Sequence, residues 1–220
     1  MNLDAYKNII AELKSSNAQL IAVSKTKPLA DIQTLYNEGQ RIFGENKVQE
    51  MCDKKELLPA DIQWHLIGHL QTNKVKFIAP FVAMIHSVDS MKLLSEINKQ
   101  AAKSNRVVDC LLQIHIAAEE TKFGFNSEEL FNVLRSQEFK LLKNVRICGL
   151  MGMATNTDDE QKISKEFEGL KALFNEVKSM FFQNSEYFKE LSIGMSSDYK
   201  IALKHGATFV RIGSTIFGER

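Results

Sequence analysis

Apolar positions along the chain alternate between two spacings. Short runs of consecutive apolar residues, the mark of strands buried on both faces, are separated by stretches in which apolar residues recur every three or four positions, the mark of amphipathic helices. Leu3, Tyr6, Ile10 and Leu13 predict an opening helix that ends near Ser15-Ser16-Asn17. The run Leu20-Ile21-Ala22-Val23 is the first strand; it delivers Ser24 and Lys25 and is cut by Pro28, which suits the first position of a helix continued by Leu29, Ile32, Leu35 and Tyr36 and stopped at Gly39. Further strands are predicted at 41–46, 64–68, 82–88, 107–116, 146–153, 191–195 and 208–215. Helical stripes fall between them, including a short helix through Phe77 capped by Thr72 or Asn73, one introduced by Asn126-Ser127, and a long one through Ile163, Phe167, Leu170, Phe174, Val177 and Phe181.

Eight strands alternating with helices, without a long polar linker or an internal repeat, predict a parallel sheet covered on all sides, and eight is the number that closes a single (β/α)8 TIM-type barrel. The expectation is one domain over residues 1–220, with an extra N-terminal helix. An open doubly wound sheet is the alternative, but the first strand is not followed by the Gly-x-Gly-x-x-Gly turn of its dinucleotide-binding form.

Composition narrows the function classes. The formal net charge of +1 gives no global reason to expect nucleic acid, an acidic partner or an anionic membrane. Asp4, Lys7 and Glu12 interrupt the N-terminal apolar residues, which argues against a signal peptide, and no run is long enough to span a bilayer, so a cytoplasmic protein is expected. The three cysteines, Cys52, Cys110 and Cys148, lie far apart and in no Cys-x-x-Cys pair; Cys110 and Cys148 read as small strand hydrophobes. No histidine pair has metal-ligand spacing, and neither a Gly-x-Ser-x-Gly elbow nor a Walker loop is present. No metal is expected.

Candidate chemistry collects at the predicted strand ends, which in a barrel face one mouth. Strand alternation puts Ile21, Val23 and Lys25 on one face, so Lys25 is directed with the core residues, and a desolvated lysine serves as a Schiff-base amine. Ser192-Ile193-Gly194-Met195-Ser196-Ser197-Asp198 and Val210-Arg211-Ile212-Gly213-Ser214-Thr215 follow or end the last two strands, where barrels often hold a phosphate on backbone N–H and hydroxyl groups. Arg211 shares a face with Phe209 and Gly213 and so projects inward. Its partner is expected to be Asp89 or Glu119, or an acceptor atom of a bound ring. His65, His115 and His205 read as satisfied structural side chains, and His86 as a strand-end group near the site. Lys27, two residues from Lys25, is either a solvated turn lysine or a second amine at the mouth.

The sequence also resembles a known family. Ala22-Val23-Ser24-Lys25-Thr26-Lys27-Pro28, Phe43-Gly44-Glu45-Asn46 with Val48-Gln49-Glu50, 64–74 (Trp-His-Leu-Ile-Gly-His-Leu-Gln-Thr-Asn-Lys), Gly149-Leu150-Met151, Leu191-Ser192-Ile193-Gly194-Met195-Ser196 with Asp198, and 210–218 are similar to the pyridoxal-phosphate homeostasis proteins of YggS/PROSC type, whose fold is that of the alanine racemase barrel domain. The resemblance implies pyridoxal 5'-phosphate as cofactor, held as an internal aldimine on Lys25, with Ser196, Gly213 and Ser214 at the phosphate, Arg211 beside the pyridine nitrogen and Asn46 at the pocket. The N-terminal helix and its linker are shorter than the family's. An arginine does not protonate the ring nitrogen, and the racemases of this fold take a second acid-base group from another domain, which this chain is not expected to carry. The resemblance therefore implies a carrier in intracellular cofactor homeostasis without robust turnover, with apo pyridoxal-phosphate enzymes as candidate recipients. The alternatives are a minimal amino-acid racemase, a cofactor-free Schiff-base aldolase and a regulatory module for a protein partner.

Overall fold

Strand β1 (Gln19–Val23) is buried from Leu20 to Val23, and its side chains divide between two cores because alternate residues face opposite sides of a sheet. Leu20 and Ala22 pack outward under the helices, whereas Ile21 enters the barrel interior with Met84, Leu111, Cys148, Met151 and Phe209. The other strands are β2 (Ile42–Glu45), β3 (Gln63–Leu66), β4 (Met84–Val88), β5 (Val108–Ile114), β6 (Val145–Gly152), β7 (Glu190–Met195) and β8 (Phe209–Ile212). These strands pair in parallel in chain order and close where β8 returns to β1, with Leu20 opposite Val210 and Ala22 opposite Ile212. The structure, a computed structural model, describes residues 1–118 and 123–218. It is the closed (β/α)8 barrel that the periodicity predicts.

The helices are α1 (Leu3–Leu13), α2 (Leu29–Asn37), α3 (Val48–Leu57), α4 (Val75–Ile78), α5 (Met91–Lys103), α6 (Ser127–Arg135), α7 (Gln137–Lys140), α8 (Glu160–Phe181), α9 (Tyr199–Lys204) and α10 (Ser214–Phe217). Local chemistry fixes several starts: Ser90 caps α5, Asn126 and Glu129 form a reciprocal capping box on α6, and Asp159 caps α8. The extra N-terminal helix is tied to the end of the chain by Asn2 N–H donating to Ile216 O at 2.7 Å, and by Tyr199 Oη donating to Glu12 at 2.8 Å.

Several boundaries differ from the sequence reading. Pro28 takes the N-cap position, with Leu29 opening the helix. Neither Thr72 nor Asn73 caps anything; they form a 3-10 turn ahead of α4. The helix introduced by Asn126-Ser127 ends at Arg135 after its stripe of Leu130, Val133 and Leu134, and the short α7 that Ser136 caps is not among the predicted helices. Strand β8 stops at Ile212, and Ser214 and Thr215 belong to α10, so the glycine between them is the joint between strand and helix.

The β5–β6 register slips between Cys110 and Leu111, opposite Ile147 and Gly149. This bulge explains how Cys148 and Met151, three apart, both face the barrel interior. Gly149 makes it possible. Its φ is +155°, and a Cβ there would stand 1.8 Å from the carbonyl oxygen of Glu190 on β7. A Gly149→Ala variant is expected to lose on the order of 2–3 kcal/mol, with a melting midpoint roughly 5–10 °C lower, read by thermal denaturation.

Candidate cofactor site

The segment after β1 is a tight turn. Lys27 N–H donates to Ser24 O at 3.0 Å, which places Lys25 and Thr26 at its two central positions. Thr26 has φ of +64°, a left-handed conformation unusual for a β-branched residue. Lys25 is therefore not on the strand: it is half-buried on the turn, at the C-terminal mouth of the barrel.

A cavity of about 90 Å3 joins this turn to the end of β8, lined by Val23, Lys25, Thr26, Lys27, Gly213, Ser214 and Gly218. Gly213 fits closely against β1, since a Cβ on it would lie 3.0 Å from Val23 O. Its N–H faces Ser196 Oγ at 3.4 Å, so the segments after β7 and β8 meet here. Ser196 is half-buried and Ser214 exposed. Lysine, hydroxyls and the leading N–H groups of α10 line or border the cavity, and among the described residues no carboxylate lines it, which is a donor set suited to an anionic phosphate beside an aldehyde. Lys27 turns away toward the end of the described chain, donating through Nζ to Gly218 O at 2.9 Å and Phe217 O at 3.4 Å.

Asn46 stands two residues past Gly44, the partner of Val23. It lines a neighbouring cleft of about 520 Å3 with Lys47, His69, Gln71, Lys74 and Phe77 rather than the Lys25 cavity. Across the mouth, His69 pairs with Asp89 at 3.2 Å and stacks on Phe123.

Arg211 projects into the barrel as expected, but its partners are not those expected. Nη1 donates to Ser192 O at 2.7 Å and Ser192 Oγ at 2.6 Å, and Nη2 donates to Gly152 O at 2.9 Å. Asp89 is engaged by His69, Glu119 lies outside the described residues, and the nearby acid that supports the charge of Arg211 is Asp198, from the loop after β7. Burial pulls Arg211 down to about 10, which still leaves it protonated at neutral pH.

The hydrogen bonds continue below Arg211. Ser192 Oγ meets His86 Nδ1 at 3.0 Å, and His86 Nε2 meets His65 Nδ1 at 2.9 Å. With Arg211 donating to Ser192, a consistent polarity runs from Ser192 O–H to neutral His86 and from His86 N–H to neutral His65. His86 therefore lies inside the barrel on β4, not at a strand end, while His65 is satisfied by His86 and His205 by Ser164 at 2.8 Å. His115 is half-buried just beyond β5. Neither Ser192 nor the His65–His86 contact was legible in the sequence, because both depend on which strands face each other across the interior.

Burial drives the pKa of His65 down to about 3 and that of His86 well below its ordinary value, the latter with help from Arg211. The unfolded chain therefore binds protons that the folded one refuses. Their contribution to stability is present above about pH 6.5 and is lost progressively as pH falls from there toward 3. Urea denaturation followed from pH 7 to 4 should show stability falling by up to about 1.4 kcal/mol per pH unit for each histidine, and His65→Phe should reduce that slope.

The chain matches the family model for the alanine racemase N-terminal domain over residues 1–220. It is 40% identical over 205 residues to a protein of Aquifex aeolicus named pyridoxal phosphate homeostasis protein, covering 92% of this chain and 87% of that one. It is also similar to PipY of Synechococcus elongatus, a structure solved without pyridoxal phosphate, with a TM-score of 0.87 and 36% identity over 95% of this chain and 98% of that one. A second PipY structure has pyridoxal phosphate bound and gives a TM-score of 0.85 at 35% identity, with the same coverage. Alanine racemase of Clostridium difficile shares the fold at 12% identity, with a TM-score of 0.75 over 100% of this chain and 58% of the racemase.

Proposed function

Because this chain belongs to the alanine racemase N-terminal domain family, among its pyridoxal phosphate homeostasis proteins, we propose that it binds pyridoxal 5'-phosphate and serves in the intracellular homeostasis of that cofactor. The observation that carries this reading is the single cavity bringing Lys25 together with Gly213 and Ser214. Lys25 supplies the amine. Ser196, Gly213 and Ser214 bind the phosphate through hydroxyls and backbone N–H groups. Arg211, whose three bonds to Ser192 and Gly152 leave part of its five-donor guanidinium for a ligand, would lie beside the pyridine nitrogen, and Asn46 would border the ring from the adjacent cleft. When bound, the cofactor supplies an aldehyde that condenses with the Lys25 amine to an imine, releasing water.

The same residues limit turnover. A protonated guanidinium donates to a ring nitrogen without giving it a proton, so charge developing at a substrate carbon is poorly drawn into the ring. Among the described residues the cavity around Lys25 is lined by no carboxylate or tyrosine to act as the opposing acid-base group, and the other amine among them, Lys27, is turned to backbone carbonyls. The protein therefore acts as a cytoplasmic carrier over residues 1–220 as one binding domain, passing cofactor to apo pyridoxal-phosphate enzymes. Among the described residues no helix is long and apolar enough to cross a membrane. Incubation of the loaded protein with L-alanine in deuterium oxide should give α-carbon exchange no faster than free cofactor produces. Exchange at an enzymatic rate would replace the carrier reading with the racemase one.

A further inference from the structure

The turn that carries Lys25 is gripped from outside the barrel by charged groups that the cofactor chemistry does not use. Glu50 and Lys54 lie one helical turn apart on α3, with Lys54 Nζ 2.7 Å from Glu50 Oε1. Lys54 is buried and also donates to Glu45 Oε1 at 2.8 Å and to Ser24 O at 2.7 Å. Glu45, wholly buried at the end of β2, accepts a further bond from Ser24 Oγ at 2.6 Å. Glu50 Oε1 accepts the N–H of Thr26 at 2.5 Å.

Both anchors of the turn thus pass through one ion cluster. The carbonyl that closes it, Ser24 O, is shared between Lys27 N–H and the Lys54 ammonium, and the N–H of its left-handed residue is held by Glu50. Such a cluster is not an economical source of stability, because removing three charges from water offsets most of their attraction. The carboxylate oxygen Glu45 Oε2 is buried without a hydrogen-bond partner, an added cost. A threonine at φ of +64° is a second departure from the lowest-energy choice, where glycine would sit without strain. Two unfavourable features that meet at one turn point to a geometric purpose.

We infer that Glu50 and Lys54 are positioning residues for the cofactor amine: through Thr26 N–H and Ser24 O they hold the turn in the one backbone conformation that aims Lys25 into the cavity. This rests on the cofactor reading above and extends it to residues with no contact to the cofactor. Glu45 locks the pair from beneath, fixing Lys54 between Ser24 and Glu50.

The test is a double-mutant comparison on the full chain. Glu50→Ala removes the acceptor for Thr26 N–H at a half-buried position. Titration with pyridoxal phosphate, followed by imine absorbance, should show an apparent association constant about tenfold weaker, equivalent to about 1.4 kcal/mol. The Thr26 amide should exchange with deuterium at least about tenfold faster by NMR, because its bond to Glu50 is gone. Adding Thr26→Gly should restore the imine constant to within about threefold, since glycine takes the left-handed conformation without being held there. A role of Glu50 in general stability would not be repaired by a glycine on another element. The inference is overturned if Glu50→Ala keeps the wild-type imine constant, or if the double variant stays as weak as the single one. A wild-type protein that forms no imine overturns the cofactor reading itself, and this inference with it.

Discussion

A Lys25→Ala variant titrated with pyridoxal phosphate develops none of the imine absorbance that the wild-type protein develops, and its affinity for the cofactor falls on the order of a hundredfold. The first outcome follows from chemistry: among the described residues Lys25 and Lys27 are the two amines lining the cavity, and Lys27 spends its ammonium on the carbonyls of Phe217 and Gly218. The second follows from what remains, because Ser196, Gly213 and Ser214 still offer donors to the phosphate, so binding weakens without vanishing. Stability should change by no more than about 0.5 kcal/mol, since Lys25 is half-buried on a turn and lies outside both apolar cores. Absorbance, equilibrium dialysis and a thermal melt of the same sample separate the three effects. A cofactor-free aldolase would show no imine absorbance in the wild type either. An imine retained by Lys25→Ala would move the attachment point to Lys27.

Most of the fold could be read from the chain because its information is local. Leu20-Ile21-Ala22-Val23 has one reading as a strand buried on both faces, and the stripe from Ile163 to Phe181 one reading as a helix. What could not be read was set across the barrel. Arg211 was identifiable as inward-facing from alternation with Phe209. Its partners Ser192 and Gly152 come from β7 and β6, and each of those strands carries a register slip that alternation alone does not reveal. The missed ion cluster is an intermediate case. Glu50 and Lys54 have the spacing of an exposed helix pair and look like one; only Glu45, an acid ending the run Ile42-Phe43-Gly44, hints that the pair is turned inward. The Lys25 turn failed in the other direction. Extrapolating the strand to residue 25 gave the correct end of the barrel, and Pro28 marked a turn over residues 26–28, but the turn closes earlier, from Ser24 to Lys27, and its left-handed residue was missed, since a threonine carries no sequence signal for that conformation.

Arg211→Leu is the substitution expected to cost the fold most. Leucine fills part of the space but donates nothing, so the carbonyl oxygens of Ser192 and Gly152, both on buried backbone, lose the donors they have. At about 1–3 kcal/mol for each unsatisfied buried acceptor, the loss should be about 3–5 kcal/mol, read from urea denaturation at pH 7. Asp198 loses its nearby cation as well. Arg211→Lys keeps the charge but has one nitrogen in place of a planar fork that reaches β6 and β7 together, so it should recover only part of the loss. The pH dependence adds a check that simple packing damage would not produce. Burial is the largest influence holding the pKa of His86 down, followed by His65 and the positive charge of Arg211, so removing that charge raises the His86 pKa while burial still holds it below the ordinary imidazole range. The proton deficit of the folded state then shrinks at the acid end, where the pH approaches the folded pKa of His86, and there the stability of Arg211→Leu declines less steeply, although its stability at pH 7 is lower. A parallel downward shift of the whole curve, with the slope unchanged at its acid end, would mean that the charge of Arg211 does not act on His86.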